Sequence, residues 1–325
     1  MNPALSSLEP SRERLANPFA RYVLATRPAF LSITLAGCLL GFATAVTGGA
    51  AFDWERALVT LLLALLAHAG INVLNDYCDH LNGTDARNTQ RIYPFTGGSR
   101  FIQNGVLSPR QVLHFAVALF AATIAGGLWL LSVTGAGLFW IGLAGLVIGW
   151  AYSAPPLQLN SRGAGELCVA TGFLLVVVGA DYAQRGTWAA LPWLAGAPYA
   201  LLVANVLYIN QFPDREADRA SGKLHWVARL QPQAAAWGYG LILLLAALAL
   251  LGGVLSGALP LVAACALVAW IPAVQAWRQL RRFAAIPGQL TPAIKLTLLA
   301  AHALPLLLAA ILLLSGGFFM IGRTP

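Results

Sequence analysis

The sequence predicts an all-α polytopic membrane protein with nine transmembrane helices. Composition comes first: 58% of the 325 residues are hydrophobic and only 10% charged, with a mean hydropathy of +0.71. A soluble domain carries about 25% charged residues. Apolar stretches of spanning or near-spanning length, for which roughly 17 to 25 residues are needed, then recur nine times. The cations, finally, sort to one side of those stretches.

In chain order the stretches centre near Leu39, Leu65, Leu119, Leu143, Leu174, Val203, Leu245, Ala266 and Leu307. The first 28 residues hold Arg12, Arg14, Arg21 and Arg27 but no apolar run, so no cleaved signal peptide is expected. Residues 1–26 read as a cytoplasmic N-terminal segment and 27–325 as a single transmembrane domain. Span 2 runs into an acidic segment and stops at Asn82-Gly83. Span 4 stops at Pro155-Pro156. Span 6 meets Pro213, which disfavours helix at Phe212 and suits a first helical residue. A break and a short new helix are expected there. The last stretch contains Pro305, a kink position.

An odd span count puts the termini on opposite sides. The N-terminal segment and the loops after spans 2, 4, 6 and 8 hold 17 of the 20 Lys and Arg; Arg56, Arg185 and Arg323 remain for the other side. The positive-inside rule makes the N-terminus cytoplasmic and the C-terminus periplasmic or external. The long loops follow spans 2 and 6, so the working face is cytoplasmic. The net charge of +8 belongs to these inter-span loops, and no nucleic-acid partner is expected. Cys38, Cys78, Cys168 and Cys265 have no paired spacing, so neither a disulfide framework nor a zinc site is indicated.

Acid is scarce, with 12 Asp and Glu in all, yet Asp76, Asp79, Asp85, Asp214, Glu216 and Asp218 crowd into two segments at span ends. Carboxylates beside membrane-length apolar runs mark functional sites, and clustered ones repel unless a cation sits among them. At 100° per residue, Asn72, Asn75, Asp76 and Asp79 share one helix face. Asp85 lies just beyond. Asp214 and Asp218, preceded by Asn210, are one turn apart, while Glu216 points to solvent.

Carboxylate and amide oxygens suit Mg²⁺, which keeps several waters and bridges one or two carboxylates to substrate phosphates. Arg87 and Arg91 follow the first cluster, and Arg219 and Lys223 the second. Metal, acids and cations together are the grouping expected for a diphosphate. Two further polar segments accompany them. In Tyr152 to Glu166, Arg162 is either an anion contact or a positive-inside residue of a reversing loop. In Pro94 to Ser108, Gly97-Gly98 either offers N–H groups to an anion or makes a turn. His68, one turn before Asn72, is a candidate for contacting a second substrate. The tryptophans read as the interfacial aromatic belt.

At these residues the chain resembles the UbiA superfamily of intramembrane aromatic prenyltransferases. Asn75, Asp76 and Asp79 match that family's N-D-x-x-D, Asp85 its downstream Asp, and Asp214 and Asp218 its D-x-x-x-D. The G-x-D form at Asp85, Asn72, the GGS loop and YSAPP…RGAGE look most like the branch that prenylates 1,4-dihydroxy-2-naphthoate in menaquinone biosynthesis. The third segment reads Asn160-Ser161-Arg162 where a lysine often precedes Arg-Gly. Gly83 stands where the 4-hydroxybenzoate branch has an aspartate.

The resemblance implies nine helices around a central cavity, capped on the cytoplasmic side by the loops after helices 2 and 6. It implies Mg²⁺-dependent transfer of a polyprenyl group from an allylic diphosphate to an aromatic acceptor, within a lipid bilayer. Asn75, Asp79, Asp214 and Asp218 are then expected to hold Mg²⁺. Asp76, Asp79, Asp85, Asp214 and Asp218 form the expected catalytic set, in which Asp76 and Asp85 support the metal, or Asp85 deprotonates or orients the acceptor hydroxyl. Asn72, Asn75, Arg91, Arg162, Asn210 and Lys223 contact substrate. Three readings compete. One keeps this chemistry but moves it to another aromatic acceptor, 4-hydroxybenzoate or another quinone or lipid precursor. An ion-coupled transporter would place its acids near the bilayer midplane rather than at span ends. A phospholipid-synthesising phosphotransferase would need a D-G-x-x-A-R run, of which Asp85-Ala86-Arg87 is only a fragment.

Overall fold

The computed structural model describes residues 9–321, with side chains described through residue 315; Arg323 lies outside the described residues. All regular structure among them is helical. The elements are α1 (Pro18–Ala25), α2 (Pro28–Thr47), α3 (Trp54–Asn82), α4 (Thr84–Arg87), α5 (Pro109–Thr134), α6 (Gly137–Ser153), α7 (Gly165–Arg185), α8 (Leu191–Ala220), α9 (Trp226–Arg229), α10 (Pro232–Leu255), α11 (Trp270–Phe283) and α12 (Thr291–Ile321).

Eight segments are long and apolar enough to cross a membrane: α2, α3, α5, α7, α8, α10, α12, and α11 together with the 3₁₀ run Leu261–Ala269 before it. The protein is an integral membrane protein. The stretch centred on Leu143 forms α6, which has 17 residues and so spans about 25 Å at 1.5 Å per residue. That is short of a hydrocarbon core about 30 Å thick. Its length is capped at both ends, by Gly135 in the tight connection from α5 and by Pro155-Pro156 after Ser153.

Local signals set the ends. Asp53 caps α3 by accepting from the Arg56 N–H at 3.0 Å, and Ser108 and Gln111 form a reciprocal capping box on α5. α3 stops at Gly83, as its sequence indicates. The expected break at Pro213 does not occur: α8 runs unbroken through Pro198 and Pro213. A membrane helix tolerates proline where neighbouring elements support the freed backbone. α8 is the most enclosed of the spans, packed against α2, α7, α10 and α12. Tyr199, Leu202, Ile209 and Phe212 place it in the main core. α12 likewise continues through Pro305.

α3 and α8 are the longest helices that reach the acidic segments, with 29 and 30 residues. Each is about 45 Å long, so its final turns extend past the hydrocarbon. That excess length carries both acidic clusters to one end of the bundle.

Candidate active site

Asn72, Asn75 and Asp79 of α3 and Asn210, Asp214 and Asp218 of α8 line the polar end of one cavity of about 620 Å³, together with Asp85, Lys223 and Arg27. Its body is apolar, walled by α2, α3, α5, α6, α7 and α8. The helical spacing that aligned Asn72, Asn75 and Asp79 therefore puts them on the cavity wall. Asp76, at the edge of that face, turns aside and accepts from the Ser99 N–H at 3.2 Å.

One cation joins the clusters. Lys223 Nζ lies 3.1 Å from both Asp79 oxygens and 3.3 Å from Asp218 Oδ1. The other Asp218 oxygen is 2.9 Å from His225 Nε2. Burial disfavours the Lys223 charge, but Asp218 and Asp79 outweigh it and hold the ammonium pKa well above its ordinary value. Asp85 is 2% exposed. Burial first, then the charges of Asp79 and Asp76, raise its carboxyl well above the usual carboxylate range.

The loop between α4 and α5 latches both clusters. Asn88 Nδ2 donates to Asp214 Oδ1, and the Gly97 N–H to Asp214 Oδ2 at 3.3 Å. Gly97 and Gly98 thus form a turn whose flanking N–H groups serve aspartates rather than a free anion. Gly98 has φ +73°, and a Cβ there would lie 2.4 Å from Asp85 Oδ2. Only glycine lets the loop close over that carboxylate.

Two expected substrate contacts lie elsewhere. Arg91 is buried behind the loop, bonded to Glu9 Oε1 at 2.7 Å through Nε. Arg162 is exposed and donates to the Pro156 carbonyl at 2.8 Å. Glu216 is solvated beside Arg215. The sequence reading missed Arg27, Asn88, Ser99 and His225. Arg27 stands at φ 60° just before Pro28 and lines the cavity, with a buried Nε that has no partner. A non-glycine residue at positive φ often belongs to a functional site, but that signal exists only in the folded chain.

The oxygens at the mouth fit a hard cation. Asn210 Oδ1 and Gln211 Oε1 are buried without a hydrogen-bond partner, and a buried polar atom left unpaired is costly. Among the described residues no three His, Cys, Asp or Glu side chains group closely enough to hold a metal by themselves. That suits Mg²⁺, which completes its shell with water and substrate oxygens, and does not suit a closed protein cage.

Residues 34–298 match the model of the UbiA prenyltransferase family. The chain belongs to that family. This UbiA-family protein is accordingly a prenyltransferase. Over 215 residues it is 29% identical to the 1,4-dihydroxy-2-naphthoate octaprenyltransferase of Mycobacterium leprae, covering 65% of this chain and 70% of the relative. Its fold matches the apo structure of a UbiA homolog from Aeropyrum pernix K1 with a TM-score of 0.67 at 18% identity, over 90% and 98% of the two chains. It also matches a UbiA homolog from Archaeoglobus fulgidus bound to GPP and Mg²⁺ with a TM-score of 0.56 at 16% identity, over 88% and 99%.

Proposed function

We propose that this prenyltransferase moves a polyprenyl group from an allylic diphosphate to an aromatic acceptor of the 1,4-dihydroxy-2-naphthoate type, with Mg²⁺ bound at the acidic mouth. The observation that carries the reading is the facing of Asp79 and Asp218 across one polar mouth above a long apolar cavity. The naphthoate acceptor is supported by the Mycobacterium leprae relative and by the motif form around Asp85.

Asn75, Asp79, Asp214 and Asp218 would hold the metal. Bound there, Mg²⁺ supplies charge neutralisation for a diphosphate leaving group. Lys223 and Arg27 add fixed positive charge for the same oxygens. Asn72 and Asn210 orient them, while Asp76 and Asp85 hold the loop that covers them. Arg91 acts through Glu9 and the loop, and Arg162 through the neighbouring turn.

The C1–O bond of the allylic diphosphate breaks, and its electron pair leaves with the diphosphate. An acceptor ring carbon forms the new C–C bond, and that carbon then releases a proton, or its carboxyl group as carbon dioxide and a proton, with the bonding pair returning to the ring. The apolar walls exclude the water that would otherwise capture the allylic cation. The chain is read as nine membrane-crossing helices, α6 included, with a cytoplasmic cap formed by the loops after α3 and α8. The N-terminal segment 1–26 lies in the cytoplasm, the domain spans 27–325, and the C-terminus is external.

The test is an assay in membranes with radiolabelled prenyl diphosphate, offering 1,4-dihydroxy-2-naphthoate and 4-hydroxybenzoate separately, with and without Mg²⁺. Mg²⁺-dependent lipid product from the naphthoate alone is expected. Product from the benzoate alone would overturn the acceptor assignment, and product independent of divalent cation would overturn the metal assignment.

A further inference from the structure

Two histidines face the cavity. His225 is engaged by Asp218 at the mouth. His68 lies deeper on α3, one turn inward of Asn72, and the chemistry at the mouth leaves it unused. Its Nδ1 is 2.7 Å from Thr34 Oγ1, and its ring stands edge-on to Phe173, with centroids 5.3 Å apart at 88°. Phe173 is braced in the same way by Tyr199, whose hydroxyl donates to the Ile33 carbonyl at 2.8 Å. The imidazole is therefore fixed in place.

Thr34 has no solvent exposure, so its hydroxyl hydrogen needs an acceptor within the protein. Thr44 and Thr297 each donate to a carbonyl of their own helix. Thr34 is bonded instead to His68 Nδ1. A hydroxyl that donates to Nδ1 leaves the ring proton of a neutral imidazole on Nε2. A donor facing an apolar cavity is costly unless a ligand or water oxygen meets it.

Seven residues, about 10.5 Å of helix, separate His68 from Asn75. One near-attack gap of about 3 to 3.5 Å and the length of a hydroxylated arene fill that interval. Resting on the prenyl-transfer reading of the same cavity, we propose that His68, oriented by Thr34, donates from Nε2–H to a ring hydroxyl oxygen of the aromatic acceptor. It thereby sets which ring carbon meets the allylic carbon.

The experiment has two binding arms on the purified full-length protein in detergent. One titrates geranyl thiolodiphosphate with Mg²⁺ and reads the mouth. The other titrates 1,4-dihydroxy-2-naphthoate alone and reads His68. Losing a single net hydrogen bond corresponds to about tenfold in affinity. His68→Phe should weaken the arene by about that factor and leave the thiolodiphosphate unchanged. His68→Gln, which keeps a donor, should recover much of the loss, and Thr34→Ser should match wild type.

Unchanged arene affinity in His68→Phe overturns the proposal. So does equal loss in both arms, which would make His68 structural. A wild type that binds the arene with the His68 dependence but not the thiolodiphosphate would uphold His68 and refute the reading of the mouth.

Discussion

Lys223 Nζ sits between two carboxylates that belong to different helices, 3.1 Å from both oxygens of Asp79 on α3 and 3.3 Å from Oδ1 of Asp218 on α8. Its side chain is 12% exposed, so the three groups form a largely desolvated triad. The ammonium neutralises a mouth that a divalent cation and a diphosphate are proposed to fill.

Replacing Lys223 with Met leaves Asn82 as the hydrogen-bond partner of Asp79 among the described residues and leaves two buried carboxylates facing each other. Breaking a buried pair in this way costs about 3 to 5 kcal/mol. The variant should melt earlier than wild type in divalent-free detergent. Mg²⁺ with a prenyl thiolodiphosphate should recover part of the loss by supplying positive charge to the same oxygens. A melt that matches wild type without divalent cations would remove the triad from the account.

Asp79→Ala and Asp218→Ala should each lower prenyl transfer at least about 100-fold, the scale of losing one charge-stabilising group in an active site. Both proteins should still elute as monodisperse species. Removing one acid also relieves like-charge repulsion, so no loss of folded protein is expected. Wild-type turnover in either variant would exclude that residue from the metal and diphosphate site.

Much of this site is legible in the sequence because a helix has a fixed rotation per residue. Asn72, Asn75 and Asp79 fall on the cavity wall for that reason alone, and Gly83 stops α3 by its own backbone preference. Asp76 escapes the pattern because Ser99 draws it aside, a contact across 23 residues of chain with no periodic trace. The Asn88–Asp214 bond and the Lys223 bridge to Asp79 span 126 and 144 residues and are equally invisible. Arg91 reads as a phosphate contact until Glu9 is seen to hold it. Pro213 reads as a break because local preference is all that a sequence displays, whereas the packing around α8 decides the outcome.

Gly98→Ala and Gly105→Ala separate backbone strain from contact. Their φ values are +73° and +65°, so each substitution should cost about 1 to 2 kcal/mol from the left-handed backbone. A Cβ at Gly98 meets Asp85 Oδ2 at 2.4 Å, while one at Gly105 meets nothing within 4 Å. Gly98→Ala should therefore also depress turnover by displacing the loop over Asp85, and Gly105→Ala should not. Thermal melts and rates for the two variants check this, and equal rates would show that the loop does not act through Asp85.

Asp85 gives a pH dependence with a definite sign. Its folded pKa is raised above the unfolded value, by burial first and then by Asp79 and Asp76. The fold therefore favours its protonated form. No cost falls on stability below the unfolded pKa of about 3.9. The cost grows as pH rises from there toward the folded value. Asp85→Asn removes it. In divalent-free detergent the variant should melt with wild type near pH 4 and progressively above it toward neutral pH. A gap that does not change with pH would assign the difference to packing instead.

The apolar body of the cavity carries a prediction about chain length. Gly127 of α5, Gly142 and Gly145 of α6 and Gly172 of α7 all line it, and a Cβ built at any of them meets nothing within 4 Å. A larger side chain at Gly145 would enter the space in which a prenyl chain would lie. The helix should tolerate it, since glycine is about 1 kcal/mol worse than alanine in a helix interior. Gly145→Leu should remain folded and keep its rate with geranyl diphosphate, while its kcat/KM for long polyprenyl diphosphates falls. The ratio between long and short substrates should shift by about tenfold or more, the scale of a steric change in an apolar pocket. Competition between a short and a long prenyl diphosphate in one reaction reads that ratio directly. An unaltered ratio would place the prenyl chain along a different wall of the cavity.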